Sequence, residues 1–598
     1  MRKYRLVFLF LALLAVSCGK EDPIVDPEPD LPPVPHEQDP PPEPPVEQPA
    51  PGEYVLPLIE TTDLHGYVVS TGSDGVVHYR LAYIADKAED LRRQYGGENG
   101  LLLLDGGDLY QGASISNLLT GWPVHVALDR MGYDAVALGN HEFDWGLEKT
   151  VDADATVPDY EWEGVSHVNE VPVVCANLYR DGERVSCTRD YVIVEKTAAG
   201  SKGATVPVRI GIVGFAVNYS GSIITTQFSG RGFSINADYG IANRIAAELE
   251  SSHACDATIL LIHGEAPGAA EQLRADSPFD LVLGGHSHRT YAAQTGWGLP
   301  YLQGGRYGEH FGRAELRFLV SEDGSVSFER VTNWFNDAVD ASRDRHSYAG
   351  ENAGDLSEDI LAVSDAALAA TAQQQNDVIG YITTAATTYS LSGSGGRAST
   401  MANWMCDILR RIGGADVAFV NSGGIRTTFP LNGQSRRDIT VANVYEMFPF
   451  SNAVYVYQIS CAELLELFEY SLTSGGQALF SSMTGIDCYF KETNYGSYST
   501  YSVQSLSLGG TVIYQSGTWA SGWASRSITL AASEYLATTE RTDYYTGKPN
   551  PLIGWNATSR LVSSDMIDNV DGVRVLREEA ASSGGLLRID TAPHFILR

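Results

Sequence analysis

The sequence predicts an α/β fold, and three observations carry that reading. Apolar runs of strand length recur in the first half of the chain, at residues 55–59, 101–104, 135–138, 258–262 and 281–283. Each runs into a small cluster of Asp, Asn or His with glycine beside it. Stretches of helical period, such as 77–95, lie between some of them, and in α/β folds polar sites gather outside the carboxyl ends of the strands.

In chain order, the first run delivers Asp63-Leu64-His65-Gly66 and the second Asp105-Gly106-Gly107-Asp108. The third delivers Gly139-Asn140-His141-Glu142-Phe143-Asp144, the fourth His263-Gly264-Glu265, and the fifth Gly284-Gly285-His286-Ser287-His288. Taken singly, Asp-x-His or Gly-Asp reads as an ordinary turn. Five such clusters, each closing a strand, read as one site. Carboxylate, imidazole and amide oxygen are natural ligands for divalent ions such as Zn, Mn, Mg, Co or Fe. Two ions about 4 Å apart can clamp a phosphoryl group, provided that one carboxylate bridges them.

At 598 residues the chain exceeds what one core supports, so at least two domains are expected. Hydrophobic residues make up 43% of it, enough for most of it to fold. The formal net charge of -33 argues against a nucleic-acid polymer as partner, since phosphates would be repelled from most of the surface. A small anionic substrate is compatible where a metal or an arginine reverses the local field.

The order of these motifs resembles that of the calcineurin-like metallophosphoesterases. The forms Asp-Leu-His-Gly, Gly-Asn-His-Glu-Phe-Asp and Gly-Gly-His-Ser-His, followed by Leu302-Gln303-Gly304-Gly305-Arg306-Tyr307-Gly308, resemble the bacterial 5′-nucleotidase and UDP-sugar hydrolase family. The resemblance implies a four-layered α/β/β/α domain over residues 53–340 that binds two divalent metal ions. Carried over by motif, Asp63, His65, Asp108 and His288 hold the first ion. Asp108, Asn140, His263 and His286 hold the second. Family members often carry Gln where His288 stands. His141 and Asp144 match the family's dyad, in which Asp144 orients the imidazole and His141 stabilises or protonates the departing oxygen. His78, His125, His253 and His310 match no ligand motif and read as structural.

Residues 341–373 turn polar and then Ala- and Leu-rich with helical period over 356–371, which suits an interdomain helical linker. Residues 374–598 resemble the smaller α/β C-terminal domain of the same family, which carries the substrate pocket. Asn421-Ser422-Gly423-Gly424-Ile425-Arg426 follows the apolar run 417–420, and Arg426 can offer a planar fork to a phosphate. By the resemblance, Asn421 and Arg426 are substrate-binding residues. Phe450, in Phe448-Pro449-Phe450, and Tyr535 are the aromatics that flank a base. The family's Gly-Gly-Asp-Gly turn with its ribose-binding Asp has no counterpart here, Glu540 and Asp543 being the nearest carboxylates.

The N-terminus reads as a secretory signal, with Met1-Arg2-Lys3-Tyr4-Arg5 followed by an apolar run over 6–16. Leu14-Ala15-Val16-Ser17-Cys18 resembles a bacterial lipobox, which implies a lipoprotein signal peptide over 1–18 and lipidation at Cys18. Residues 21–52 contain half of the prolines, mixed with Asp and Glu and with no Lys or Arg. Residues 19–52 are therefore expected to be a disordered tether. The implied location is exported and lipid-anchored to the outer membrane, on the periplasmic or the cell-surface side. The other six cysteines form no Cys-x-x-Cys pair, and disulfide pairing is open.

The expected function is that of an exported metal-dependent phosphoesterase that hydrolyses phosphate monoesters, 5′-nucleotides above all. A UDP-sugar or cyclic-nucleotide phosphodiesterase and a phosphatase for another small ester are the alternatives among enzymes. A non-catalytic surface ligand-binding lipoprotein is the alternative of a different class. It would be favoured by missing ligands or a missing His-Asp dyad, and neither is missing. The expected partners are a small phosphorylated substrate and, through the anchor, the membrane; no protein partner is expected.

Overall fold

The computed structural model describes residues 49–598, apart from 72–75, 152–170, 219–226, 341–342, 344–355, 389–398, 474–479, 495–498, 540–548 and 598. The signal segment, Cys18 and most of the tether lie outside the described residues, as do Glu540 and Asp543. Among the described residues no helix is long and apolar enough to cross a membrane.

The apolar runs form strands whose side chains point alternately to two different cores. Leu101 and Leu103 enter one core, whereas Leu102 and Leu104 enter another. In the strand Ala257–His263, Ile259 and Leu261 share that second core, and Leu260 and Ile262 enter a third. This is the period-2 alternation of a sheet covered on both faces, and each fully buried Leu or Ile contributes about 2 kcal/mol relative to exposure.

Three apolar layers therefore separate four structural layers. Helices Arg80–Tyr95, Trp122–Met131 and Glu358–Asn376 cover the first core. Two sheet halves enclose the second through Leu56, Leu58, Ile210, Leu316 and Phe318. Helices Gly240–Ser251 and Ala266–Gln272 close the third against Val213, Phe215 and Ile262. The architecture is the α/β/β/α arrangement expected from the resemblance.

Two parallel sets of strands form the sheet halves. One runs Gly52–Thr61, Leu102–Asp105, Ala135–Ala137 and Val173–Val174. The other runs Thr205–Ala216, Ala257–His263, Leu281–Leu283 and Pro300–Gly304. The long antiparallel strand Tyr191–Gly200 joins the two sets. Register places Thr61 beside Asp105 and Ala216 beside His263, so within each set the loops that follow leave from one level.

Two helices differ from their sequence-derived limits. The stretch 77–95 begins as the two-residue strand Val77–His78, paired with Ser70–Thr71, and becomes helical only at Arg80. The helix expected over 356–371 spans Glu358–Asn376. Ser357 is extended at its start, and Glu358 and Asp359 favour the first turn through the helix dipole. Ile360, Val363 and Ala367 pack this helix into the first core.

Beyond it stands a mixed five-stranded sheet, ordered Phe480–Thr484, Val417–Asn421, Ser527–Ser533, Ala453–Ser460 and Leu561–Ile567. Thr400–Ile412, Val441–Met447 and Asp568–Ser583 cover one face. A second five-stranded sheet, which includes Ile486–Asn494, Ser499–Leu508 and the final strand Phe595–Leu597, lies beyond the other. Cys175, Cys187, Cys255, Cys406, Cys461 and Cys488 are free thiols, so Cys175 and Cys187 are not joined.

Candidate metal centre and substrate cleft

The five strand-end motifs converge. Asp63, His65 and His288 offer ligand atoms within 4.8 Å of one another, as do Asp108, His263 and His286, and as do His65, Asp108 and His141. Asp108 Oδ2 lies 3.1 Å from His263 Nε2 and 3.8 Å from His65 Nε2, so one carboxylate faces both groups. His288 Nε2 stands 3.5 Å from Asp63 Oδ1 and 3.1 Å from His65 Nε2.

Backbone geometry delivers these side chains. Asp63 (φ 51°), His65 (47°), Asp108 (60°), His286 (74°) and His288 (59°) all occupy the left-handed region. For residues other than glycine that conformation costs about 1 kcal/mol or more each, and it collects at functional sites. Gly139 has its own reason: a Cβ there would stand 2.2 Å from Asp108 Oδ1.

Main-chain and neighbouring groups fix the ligand orientations. His65 Nδ1 donates to Gln111 O at 2.7 Å and His263 Nδ1 to Gly106 O at 2.6 Å, which turns each Nε2 toward the centre. Thr62 Oγ1 donates to Asp63 Oδ2 at 2.7 Å. Glu142 accepts from three backbone amides, Gly139 N at 2.6 Å, Leu109 N at 2.7 Å and Asp108 N at 3.1 Å. Its carboxylate thus ties the third motif to the second. That task is not visible in the spacing.

The electrostatics suit ligation. Burial, with help from the His263 charge, depresses His286 to about 4. Burial and Arg426 bring His288 down to about 3, and burial also lowers His65. All three are neutral imidazoles at pH 7, the form that binds metals. Burial works against an ionised Asp108, but His263 and His141 outweigh it and hold this carboxyl well below its usual range. His263 differs: burial opposes its charge, yet Asp108 wins and pushes it up to about 10, so ligation there displaces a proton.

The donor set fits two divalent ions. Asn140 Oδ1 is buried with no hydrogen-bond partner among the described residues, at a place where the sequence expects a ligand oxygen. Asp63, His65, Asp108 and His288 would hold one ion. Asp108, Asn140, His263 and His286 would hold the other.

A cavity of about 550 Å³ opens beside these groups and is walled by both domains. Asp108, Asn140, His141, His286 and His288 line it. Asn421, Arg426, Phe450 and Tyr535 also line it, so all four substrate-binding candidates border the cavity that the candidate ligands open onto. His141 Nδ1 donates to Asp144 Oδ2 at 2.7 Å. Burial opposes the imidazolium, but Asp144 and Asp108 outweigh it and raise the His141 pKa. Phe450 stacks on the His141 ring at 5.4 Å, and the Arg426 guanidinium lies 5.4 Å from the Phe450 ring centre.

Sequence reasoning missed four residues here. Tyr307 sets its ring edge-on to His65 and His288 at 5.6 and 5.5 Å. Arg306, Asn452 and Asp568 line the cavity. Arg306 and Tyr307 lie in a motif the sequence had singled out, but only packing shows that they reach the cleft. Of the other histidines, His125 is buried and stacked on Tyr110 at 4.2 Å, and it belongs to none of the three ligand groups.

Residues 378–511 match the family model of the 5′-nucleotidase C-terminal domain. A 5′-nucleotidase from Vibrio cholerae is 25% identical over 482 residues, covering 73% of this chain and 80% of the relative. The trifunctional nucleotide phosphoesterase protein YfkN of Bacillus subtilis is 24% identical over 442 residues. The match takes in 70% of this chain but spans only 28% of that relative's length. The 5′-nucleotidase precursor of Thermus thermophilus superposes with a TM-score of 0.64 at 18% identity, covering 91% of this chain and 99% of that one. The class is therefore that of an α/β/β/α domain followed by a 5′-nucleotidase C-terminal domain, in the same overall fold as that 5′-nucleotidase precursor.

Proposed function

We propose that this protein is an exported, metal-dependent phosphoesterase that hydrolyses phosphate monoesters, with 5′-nucleotides as its main substrates. At the coarser level it is a hydrolase of phosphoester bonds, in keeping with its relatives. The observation that carries the finer reading is the meeting of Arg426 with His141 directly over the groups centred on Asp108. A phosphate-gripping side chain, a proton donor and a ligand cluster share one cavity.

Held by Asp63, His65, Asp108, Asn140, His263, His286 and His288, two divalent ions would supply Lewis acidity at a bound phosphoryl group and would lower the pKa of water. Arg426 grips the phosphoryl oxygens through its guanidinium. Asp144 fixes the proton of His141 on Nδ1, which leaves Nε2 to carry the proton that the leaving oxygen takes. Phe450 and Tyr535 offer apolar faces to a base further along the cavity. Cys18 and the proline-rich segment after it anchor and extend the enzyme from the outer membrane, a reading that rests on the lipobox resemblance.

The test is phosphate release from a substrate panel by metal-reconstituted protein lacking residues 1–52. Release from 5′-nucleotides ahead of 3′-nucleotides and aryl phosphates is expected. Release from another ester with none from nucleotides would overturn the nucleotidase reading, and no release from any ester would overturn the enzyme.

A further inference from the structure

Arg306 has no task in the mechanism above, yet it lines the same cavity as Arg426, His288 and Phe450. Its guanidinium lies over the Tyr307 ring, 4.9 Å from the centre, and Tyr307 stacks in turn on Tyr67 at 4.4 Å. Tyr307 also meets the edge of His288. Stacked rings thus hold a second cation at the rim of the ligand cluster.

The existing partner of Arg306 is weak. Arg306 Nε and Glu309 Oε2 are 3.7 Å apart, and the two side chains are 46% and 39% exposed. Such a pair contributes little and is readily exchanged for a more highly charged anion. Arg426 is more committed, with Nε donating to Gly423 O at 2.9 Å and Nη2 directed at His141. Its remaining donors suit one phosphoryl group, whereas a nucleoside diphosphate brings a second group and more negative charge.

We propose that Arg306 is a specificity-determining residue that binds an additional phosphoryl group, so that the cleft favours nucleoside diphosphates over the corresponding monophosphates. The inference rests on the proposed function only in taking this cavity as the place where phosphate esters bind. Arg306 comes from the N-terminal domain and Arg426 from the C-terminal domain. The two guanidiniums therefore reach one cavity from different parts of the chain, where an extended phosphate chain could meet both.

The experiment is competition against hydrolysis of an aryl phosphate reporter, p-nitrophenyl phosphate, by the metal-loaded protein. ADP and AMP are the competitors, and wild type is compared with Arg306→Gln and Arg306→Lys. Wild type should bind ADP more tightly than AMP. Arg306→Gln should lower that preference about 10-fold, as expected for loss of a charge-assisted contact, and Arg306→Lys should restore part of it. An unchanged ADP-to-AMP ratio, an equal loss for both competitors, or no preference in wild type would overturn the inference. If Arg306→Gln does not fold, as judged by circular dichroism, the lysine variant carries the test, since a point charge should retain only part of the preference. Competition does not require the nucleotides to be cleaved. Reporter turnover without nucleotide turnover would therefore sink the nucleotidase reading and leave this one open to measurement.

Discussion

Arg426 Nη2 stands 3.3 Å from His141 Nε2, although 285 residues separate them in the chain. The first belongs to the C-terminal domain and the second to the Gly-Asn-His-Glu motif of the N-terminal domain. With Nδ1 donating to Asp144, Nε2 of the neutral imidazole accepts from Arg426 Nη2, a donor that an anionic phosphoryl oxygen entering the cleft would take over.

Arg426→Ala should accordingly lower kcat/KM for every phosphate ester by about 10- to 100-fold, the range for a charged hydrogen bond. Arg426→Lys should recover little of the loss, because a point charge cannot reproduce the planar fork. Steady-state kinetics on nucleotide and aryl esters decide it, and wild-type values in the alanine variant would remove Arg426 from phosphate binding.

Asp108 faces both ligand groups, so Asp108→Ala should abolish turnover and reduce bound metal at both positions. Elemental analysis of purified protein reads the second effect. Loss of a single ion with activity retained would mean that Asp108 does not bridge.

Glu142 holds three backbone amides with one carboxylate. Glu142→Ala leaves them buried and unpaired, at a cost of about 3 kcal/mol or more. It also frees the turn that positions Asp108. Both the unfolding midpoint and the metal content should fall together. A variant that loses stability but binds metal normally would confine Glu142 to a packing role.

His594 is clamped between Asp487 Oδ1 at 2.7 Å and Asp590 Oδ2 at 2.8 Å, close to the final strand. Burial works against its charge, but the two carboxylates outweigh it and raise its pKa above the ordinary 6.5. A raised folded-state value stabilises the fold fully below about pH 6.5, and that stabilisation disappears as pH climbs through the folded value. Since Asp487 and Asp590 are partly exposed, the effect should be about 1 kcal/mol. Thermal melts from pH 6 to 9 should show it in wild type and not in His594→Gln. Equal slopes in the two proteins would refute the clamp.

The candidate metal centre was legible in the sequence because its residues follow five apolar runs directly, Asp63 with His65 after the first and His286 with His288 after the fifth, so local pattern and cluster coincide at Asp63, His65, Asp108, Asn140, His263, His286 and His288. What joins separate motifs was not legible. Glu142 sits in plain view inside Gly-Asn-His-Glu, but its three amides come from two different loops. Arg306 reads as a loop residue until the second domain is packed opposite it. The start of the helix at Arg80 was missed because Val77 and His78 continue the apolar period while pairing as a strand.

The imidazoles of His65 and His263 take their orientation from the main-chain carbonyls of Gln111 and Gly106. A carbonyl is indifferent to the side chain on its own residue. Replacement at position 111 can therefore alter packing without removing the acceptor, provided the backbone path is kept. Positions at which a side chain does the orienting, Thr62 on Asp63 and Glu142 on the loop of Asp108, have no such freedom, so two neighbouring positions of the same site differ in what a substitution costs according to whether main chain or side chain makes the contact.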